Sequence, residues 1–111
     1  MKDYSCFSDN EINEMVADLR GGYVGNVYGS ETAVKVSDAA TNGLFYMEVD
    51  YCNNPSDAWP IIIDNSITFN YDTAQVHVGS YFSDTAKISE NRNKALRAAM
   101  TVYLMMRDAE K

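Results

Sequence analysis

The sequence predicts an α+β fold: a small antiparallel sheet of four or five strands packed with an N-terminal helix, a short central helix and a long C-terminal helix. Three observations carry that expectation. Ser8-Asp9-Asn10-Glu11 has the form of a capping box ahead of an apolar stripe. Residues 44–51 alternate strictly between two sets of side chains. Residues 91–109 carry apolar side chains at helical spacing.

In chain order, Ile12, Met15, Val16 and Leu19 form one helical stripe, and Gly21-Gly22 supplies its stop, so a helix is predicted over 9–20. Residues 23–28 and 32–36 are rich in β-branched and aromatic side chains, with Gly29-Ser30 as turn chemistry between them. Asn42-Gly43 is a strong hairpin-turn signal. In the strand that follows, Phe45, Met47, Val49 and Tyr51 form a wholly apolar set expected to face the core.

After Pro55, Ser56 can cap a short helix from Asp57, with Pro60 in its first turn. Ile61-Ile62-Ile63 could equally be a buried strand, since short apolar runs are ambiguous by period; helix is the reading adopted. Ile67, Phe69 and Tyr71 pair with Val76 and Val78 across the turn Asp72-Thr73-Ala74, a hairpin over 67–82. Ser89 or Asn91 then opens a helix running to Ala109. Its stripe is Leu96, Ala99, Met100, Tyr103 and Met106, widened by Val102 and Met105. Arg107 and Lys111 suit the negative end of that helix.

A chain of 111 residues fits a single α+β domain over 1–111, able to bury roughly two thirds of its unfolded surface. With 46% hydrophobic and 23% charged residues it is expected to be globular and not disordered. No run approaches the roughly 18 apolar residues of a membrane span, and no apolar signal core follows the N-terminus. Cys6 and Cys52 are therefore expected to be reduced, buried thiols of a cytoplasmic protein.

The net charge of −7 is unevenly spread. Residues 1–84 hold 13 acids against three bases, whereas 85–111 hold three acids against six bases. Such an acidic body argues against direct nucleic-acid binding.

Motifs for chemistry are sparse. His77 lacks a companion Cys pair or an identifiable base partner, so a solvated strand face is favoured over catalysis. Asp50, Asp57 and Asp64 recur every seven residues, but a strand and a helix cap do not put them on one surface. Asp57 is better explained as stabilising the first turn of its helix. The EF-hand glycine and terminal glutamate are missing after Asp50, and Gly21-Gly22-Tyr23-Val24-Gly25 follows a helix, the wrong order for a phosphate cradle. The tyrosines and Trp59 could line a pocket, although packing in the core and on the sheet accounts for most of them.

Two segments carry a resemblance. Residues 49–62 contain Asp57-Ala58-Trp59-Pro60-Ile61-Ile62 after a β segment, and the final helix contains Leu96-Arg97-Ala98-Ala99-Met100. In that order and spacing they resemble the NinX family of tailed-phage proteins. The resemblance implies an accessory protein of lambda-like phages or prophages working in the bacterial cytoplasm. It carries no catalytic residue across, and packing between the two segments is its default structural meaning.

The function expected from these readings is a non-enzymatic accessory protein that binds a host or phage macromolecule, an acidic inhibitor of a host enzyme being one version of it. The alternatives are a small-ligand binder with an aromatic pocket and, last, a hydrolase built on Asp50, Asp57 and His77. Candidate binding residues are Tyr51, Asp57, Trp59 and Tyr103, with Trp59 expected buried against the last helix near Leu96, Met100 or Tyr103. The over-wide stripe makes Val102, Met105 and Met106 candidate interface residues of a two-fold dimer. No cofactor, metal or membrane partner is expected.

Overall fold

The computed structural model describes residues 3–37 and 45–109, so the predicted Asn42-Gly43 turn and Lys111 lie outside the described residues. Its order is a 3₁₀ turn (Tyr4–Cys6), α1 (Asp9–Leu19), β1 (Tyr23–Asn26), β2 (Val34–Ser37), β3 (Tyr46–Val49), α2 (Pro55–Asp64), β4 (Ile67–Tyr71), β5 (Gln75–Ser80), β6 (Ser83–Asn91), a second 3₁₀ turn (Arg92–Lys94) and α3 (Ala95–Ala109). The class is the one expected. Among the described residues, six strands in two separate three-stranded antiparallel sheets, β1-β2-β3 and β4-β5-β6, replace the single sheet.

The capping box starts α1 as its sequence requires. The Ser8 hydroxyl accepts the Glu11 N–H at 3.1 Å, and the Glu11 carboxylate accepts the Ser8 N–H at 3.1 Å. The buried stripe is Ile12, Asn13, Val16 and Ala17, so Met15 and Leu19 sit at its margins. Gly21, at φ +80°, and Gly22 send their N–H groups back to the Asp18 and Ala17 carbonyls, a left-handed termination that needs glycine.

In the first sheet Val34, Val36 and Val49 enter the core, and Tyr51 follows Val49 inward. Met47 and Phe45, expected inside as well, are exposed. Met47 is on the predicted side of the strand, opposite buried Val36, but β3 is an edge of its sheet among the described residues and Met47 lines an open cavity.

Helix is the correct reading of the isoleucine run. Asn54, not Ser56, caps α2 by accepting the Ser56 N–H at 3.0 Å, and Pro55 occupies the first turn. Pro60 accordingly falls in the second turn, on the exposed side. The predicted hairpin is β4–β5, turned at Asp72, whose carboxylate accepts the N–H groups of Ala74 and Gln75 at 3.0 and 2.7 Å. Residues 83–91, expected as loop and helix start, instead form β6, the longest strand. Only Ala86 and Ile88 are apolar there, so pairing with β5 and not intrinsic preference makes the strand.

The final helix therefore begins at Ala95 and is the centre of the molecule. Every residue from Ala98 to Leu104 is buried, and Met106 with them, because α1, α2 and the second sheet enclose it. Val102 is fully buried, Met106 nearly so and Met105 half-buried. The wide stripe is thus interior, which removes the exposed patch on which a dimer through this helix was expected. Among the described residues no helix is long and apolar enough to cross a membrane.

Candidate functional site

Asp50 sits just past β3 at a junction of loops. Asn13 from α1, itself fully buried, donates to Asp50 Oδ1 at 2.8 Å and to the Thr32 carbonyl at 3.0 Å, while its own Oδ1 accepts the Cys52 N–H at 3.0 Å. Thr32 donates to Asp50 Oδ2 at 2.6 Å, and Asn53 donates to both carboxylate oxygens. Asp57 accepts the Asp50 N–H at 2.9 Å. The Asp57 carboxylate thus meets the backbone of Asp50 and not its carboxylate, because the tight turn after Asp50 folds the start of α2 back onto the end of β3. Each donor fills a lone pair of Asp50, an arrangement that holds three segments together and leaves little acceptor capacity for proton transfer.

Asp9 extends this junction to α3. Its Oδ1 accepts from Arg97 Nη1 at 2.7 Å and its Oδ2 from Asn53 at 3.2 Å. Arg97 Nη2 donates in addition to the carbonyls of Tyr4 and Phe7, fastening the N-terminal turn. Tyr4 donates its hydroxyl to Asp108 at the other end of α3. Burial first, and then Asp108, push the Tyr4 phenol well above its ordinary pKa. Cys52 is buried under the same junction, and burial raises its thiol in the same sense. Cys6 and Cys52 are both free, but Cys6 is exposed and not buried.

His77 lies on the outer face of the second sheet, in the other half of the molecule from Asp50 by topology. Its Nε2 meets Asp72 Oδ2 at 2.8 Å and its Nδ1 meets Ser89 Oγ, the directly paired residue of β6, at 2.6 Å. The Ala74 and Gln75 N–H groups, helped by His77, lower the Asp72 carboxyl to about 2. These are the residue types of a nucleophilic triad, with the ring nitrogens reversed, since there the carboxylate holds Nδ1 and serine faces Nε2. The set is also open to water, with about half of each of the His77 and Asp72 side chains exposed. A solvated cross-strand network describes it best.

An exposed apolar face belongs to α2. Ala58, Ile61 and Ile62 point inward at spacings of three and one, which leaves Trp59 and Ile63 one turn apart on the outside. Trp59 is 58% and Ile63 55% exposed. Trp59 is therefore not buried against α3: it stands about 100° round the helix from Ala58 and about 160° from Ile61. Together with Phe69 of β4 and Tyr81, 84% exposed in the β5–β6 turn, they line a groove of about 620 Å³.

The candidate residues thus separate. Tyr51 and Asp57 share a smaller cavity of about 390 Å³ with Arg20 and Pro60. Tyr103 is buried in the core, with the Arg107 guanidinium 5.2 Å from its ring centroid. Trp59 alone of the four faces the apolar groove. Tyr28, Tyr46, Tyr71 and Tyr81 are also exposed; Tyr46 and Tyr71 lie on strands, where Lys35 and Arg92 cover their rings. Tyr81 is one of the tyrosines expected to be able to line a pocket, whereas Ile63 and Phe69 were not among the candidate residues. The available signal was the Tyr81-Phe82 pair, two bulky aromatics in a tight turn where no core can reach both.

No curated protein and no solved structure matches the chain. The family model of Bacteriophage P22, NinX matches residues 3–107. Both resembling segments fall inside that match, and the chain belongs to this phage NinX family.

Proposed function

We propose that this phage protein is a non-enzymatic binding protein that recognises another protein, of host or phage origin, through the Trp59–Ile63 face of α2. The observation that carries the reading is the exposure of Trp59, Ile63 and Tyr81 around one groove. Scattered exposed apolar residues are normal, whereas a contiguous patch of several hundred Å² marks an interaction surface. The groove also lies on the Asp57–Ile62 segment that carries the family resemblance. Neither acid–base set competes with this reading: Asp50 is occupied by donors, and His77 is held from both sides in the open. The acidic body fits a protein partner in the host cytoplasm better than nucleic acid.

Capture from host lysate by the wild-type chain, compared with Ile63→Glu, tests it. Proteins retained by the wild type and lost by the variant support the reading, and an identical retained set overturns it. A second reading, a small ligand in the cavity of Tyr51, Asp57 and Arg20, rests on that mixed aromatic and charged lining. It requires a metabolite that raises the melting temperature of the wild type but not of Arg20→Ala.

A further inference from the structure

We infer that the cavity between the end of α1, strands β2 and β3 and the start of α2 binds a small zwitterion of the amino-acid type. Its carboxylate meets Arg20, its ammonium meets Asp57 and its apolar side chain lies against Met47 and Val49. The inference rests on the small-ligand reading of that cavity and names the ligand's chemistry; the α2 groove plays no part in it.

Three polar groups of the lining have unused hydrogen-bonding capacity. Tyr51 is only 6% exposed, and its hydroxyl has no hydrogen-bond partner among the described residues. No buried side-chain oxygen among those residues is left without a partner, so this hydroxyl opens on free space. The cavity that Tyr51 lines supplies that space. Arg20 ends α1 through its backbone N–H, and its guanidinium has no partner among the described residues. Asp57 gives Oδ2 to the Asp50 N–H at 2.9 Å, and no donor among the described residues fills its Oδ1.

The two charges converge on the phenol. Burial raises the Tyr51 pKa, Arg20 opposes that rise and Asp57 adds to it, so the hydroxyl stays protonated between a cation and a carboxylate. Both therefore lie within electrostatic reach of one oxygen, yet no ion pair joins Arg20 to Asp57. A plain carboxylate in this cavity meets repulsion from Asp57, and a plain amine meets repulsion from Arg20. A molecule with both charges on one carbon answers each of them.

The rest of the lining is apolar. Val36 and Val49 are buried, whereas Met47, paired opposite Val36, is 47% exposed at the same cavity. An apolar side chain seated there covers the methionine that the sheet edge leaves in water. The volume of about 390 Å³ lies near the lower end of the roughly 300–1,000 Å³ of small-molecule sites, room for a single amino acid.

The test uses the full chain with L-phenylalanine, L-leucine and L-methionine. Each is compared with the same molecule lacking the amino group and with the same molecule lacking the carboxylate. Calorimetry reads affinity, and thermal melts read stabilisation. At least one of the three amino acids is expected to bind and to raise the melting temperature. Its two singly charged counterparts should bind at least about tenfold more weakly. Arg20→Met should weaken the amino acid at least about tenfold, and Tyr51→Phe several-fold. Arg20 is exposed and Tyr51→Phe removes one oxygen, and unchanged circular dichroism shows that both variants remain folded.

Equal binding of the molecule without its amino group overturns the ammonium contact, and with it the zwitterion. Equal binding of the amine overturns the carboxylate contact in the same way. Undiminished binding to Arg20→Met places the amino acid elsewhere, and no binding by any of the three at millimolar concentration rejects the class. The small-ligand reading falls separately, only if no compound of a metabolite library raises the melting temperature of the wild type above its effect on Arg20→Ala.

Discussion

Arg97, in the first turn of α3, reaches Asp9 at the start of α1 across 88 residues of sequence, with Nη1 to Oδ1 at 2.7 Å. The Arg97 side chain is 11% and that of Asp9 31% exposed. Because the same guanidinium also holds the Tyr4 and Phe7 carbonyls, this pair closes the N-terminal segment onto the central helix. It explains why the arginine sits inside an otherwise apolar Leu96–Met100 motif.

Arg97→Met should therefore destabilise the fold by about 3 kcal/mol, since it takes the charged partner from Asp9 and a donor from each of two carbonyls. Asp9→Asn should cost less, about 1 kcal/mol, because the amide oxygen still accepts and Asp9 is partly screened by water. Urea denaturation of both variants checks the order, and a larger loss for Asp9→Asn would contradict it.

Asn13 is the pivot of the Asp50 junction, fully buried with bonds to Thr32, Asp50 and Cys52. Asn13→Ala removes all three, leaving buried polar groups without partners, and should cost roughly 2–4 kcal/mol. Equilibrium unfolding that shifts by less than a kcal/mol would show that water replaces the amide.

On α2 the two stripes should respond in opposite ways. Ile61→Ala empties fully buried volume and should cost roughly 2–5 kcal/mol. Trp59→Ala should stay within about 1 kcal/mol, because the indole is mostly in water. Thermal melts of the pair decide it, as does the emission of Trp59, expected at long wavelength and readily quenched by acrylamide.

Acid should act on the β4–β5 turn. The Asp72 carboxyl, ordinarily near 4, lies at about 2 in the folded chain because the Ala74 and Gln75 N–H groups and His77 favour its charged form. A depressed folded pKa contributes stability that is present above the unfolded value and lost as pH falls through the folded one. The melting-temperature gap between wild type and Asp72→Ala should thus be constant from neutrality to about pH 5 and close between about pH 4 and 2. A gap unchanged at pH 2 would rule out the carboxylate as its source.

The thiols should differ sharply. Cys6 is exposed, whereas burial both shields Cys52 and raises its pKa. A thiol reagent should count one group per folded chain and two after denaturation. Two fast groups in the native protein would place Cys52 at the surface.

Much of the architecture was legible in short stretches of sequence. The Ser8–Glu11 box, the Gly21-Gly22 stop, the Asp72 turn and the stripe of residues 96–106 each act within a few residues, through caps, φ and periodicity, so the chain alone determined α1, the β4–β5 hairpin and most of α3. Strand β6 was not legible, because Ser83–Asn91 becomes a strand by pairing with β5. Nor could periodicity say which apolar residues of α2 and α3 would be covered. The stripe of α3 is wide because helices and a sheet enclose it on all sides, whereas α2 meets the core on one side only and leaves Trp59 and Ile63 in water. Local pattern sets how a segment folds. Whether its spare apolar face becomes core or docking surface depends on what packs against it, and only the tertiary structure brings Trp59, Phe69 and Tyr81 around one groove.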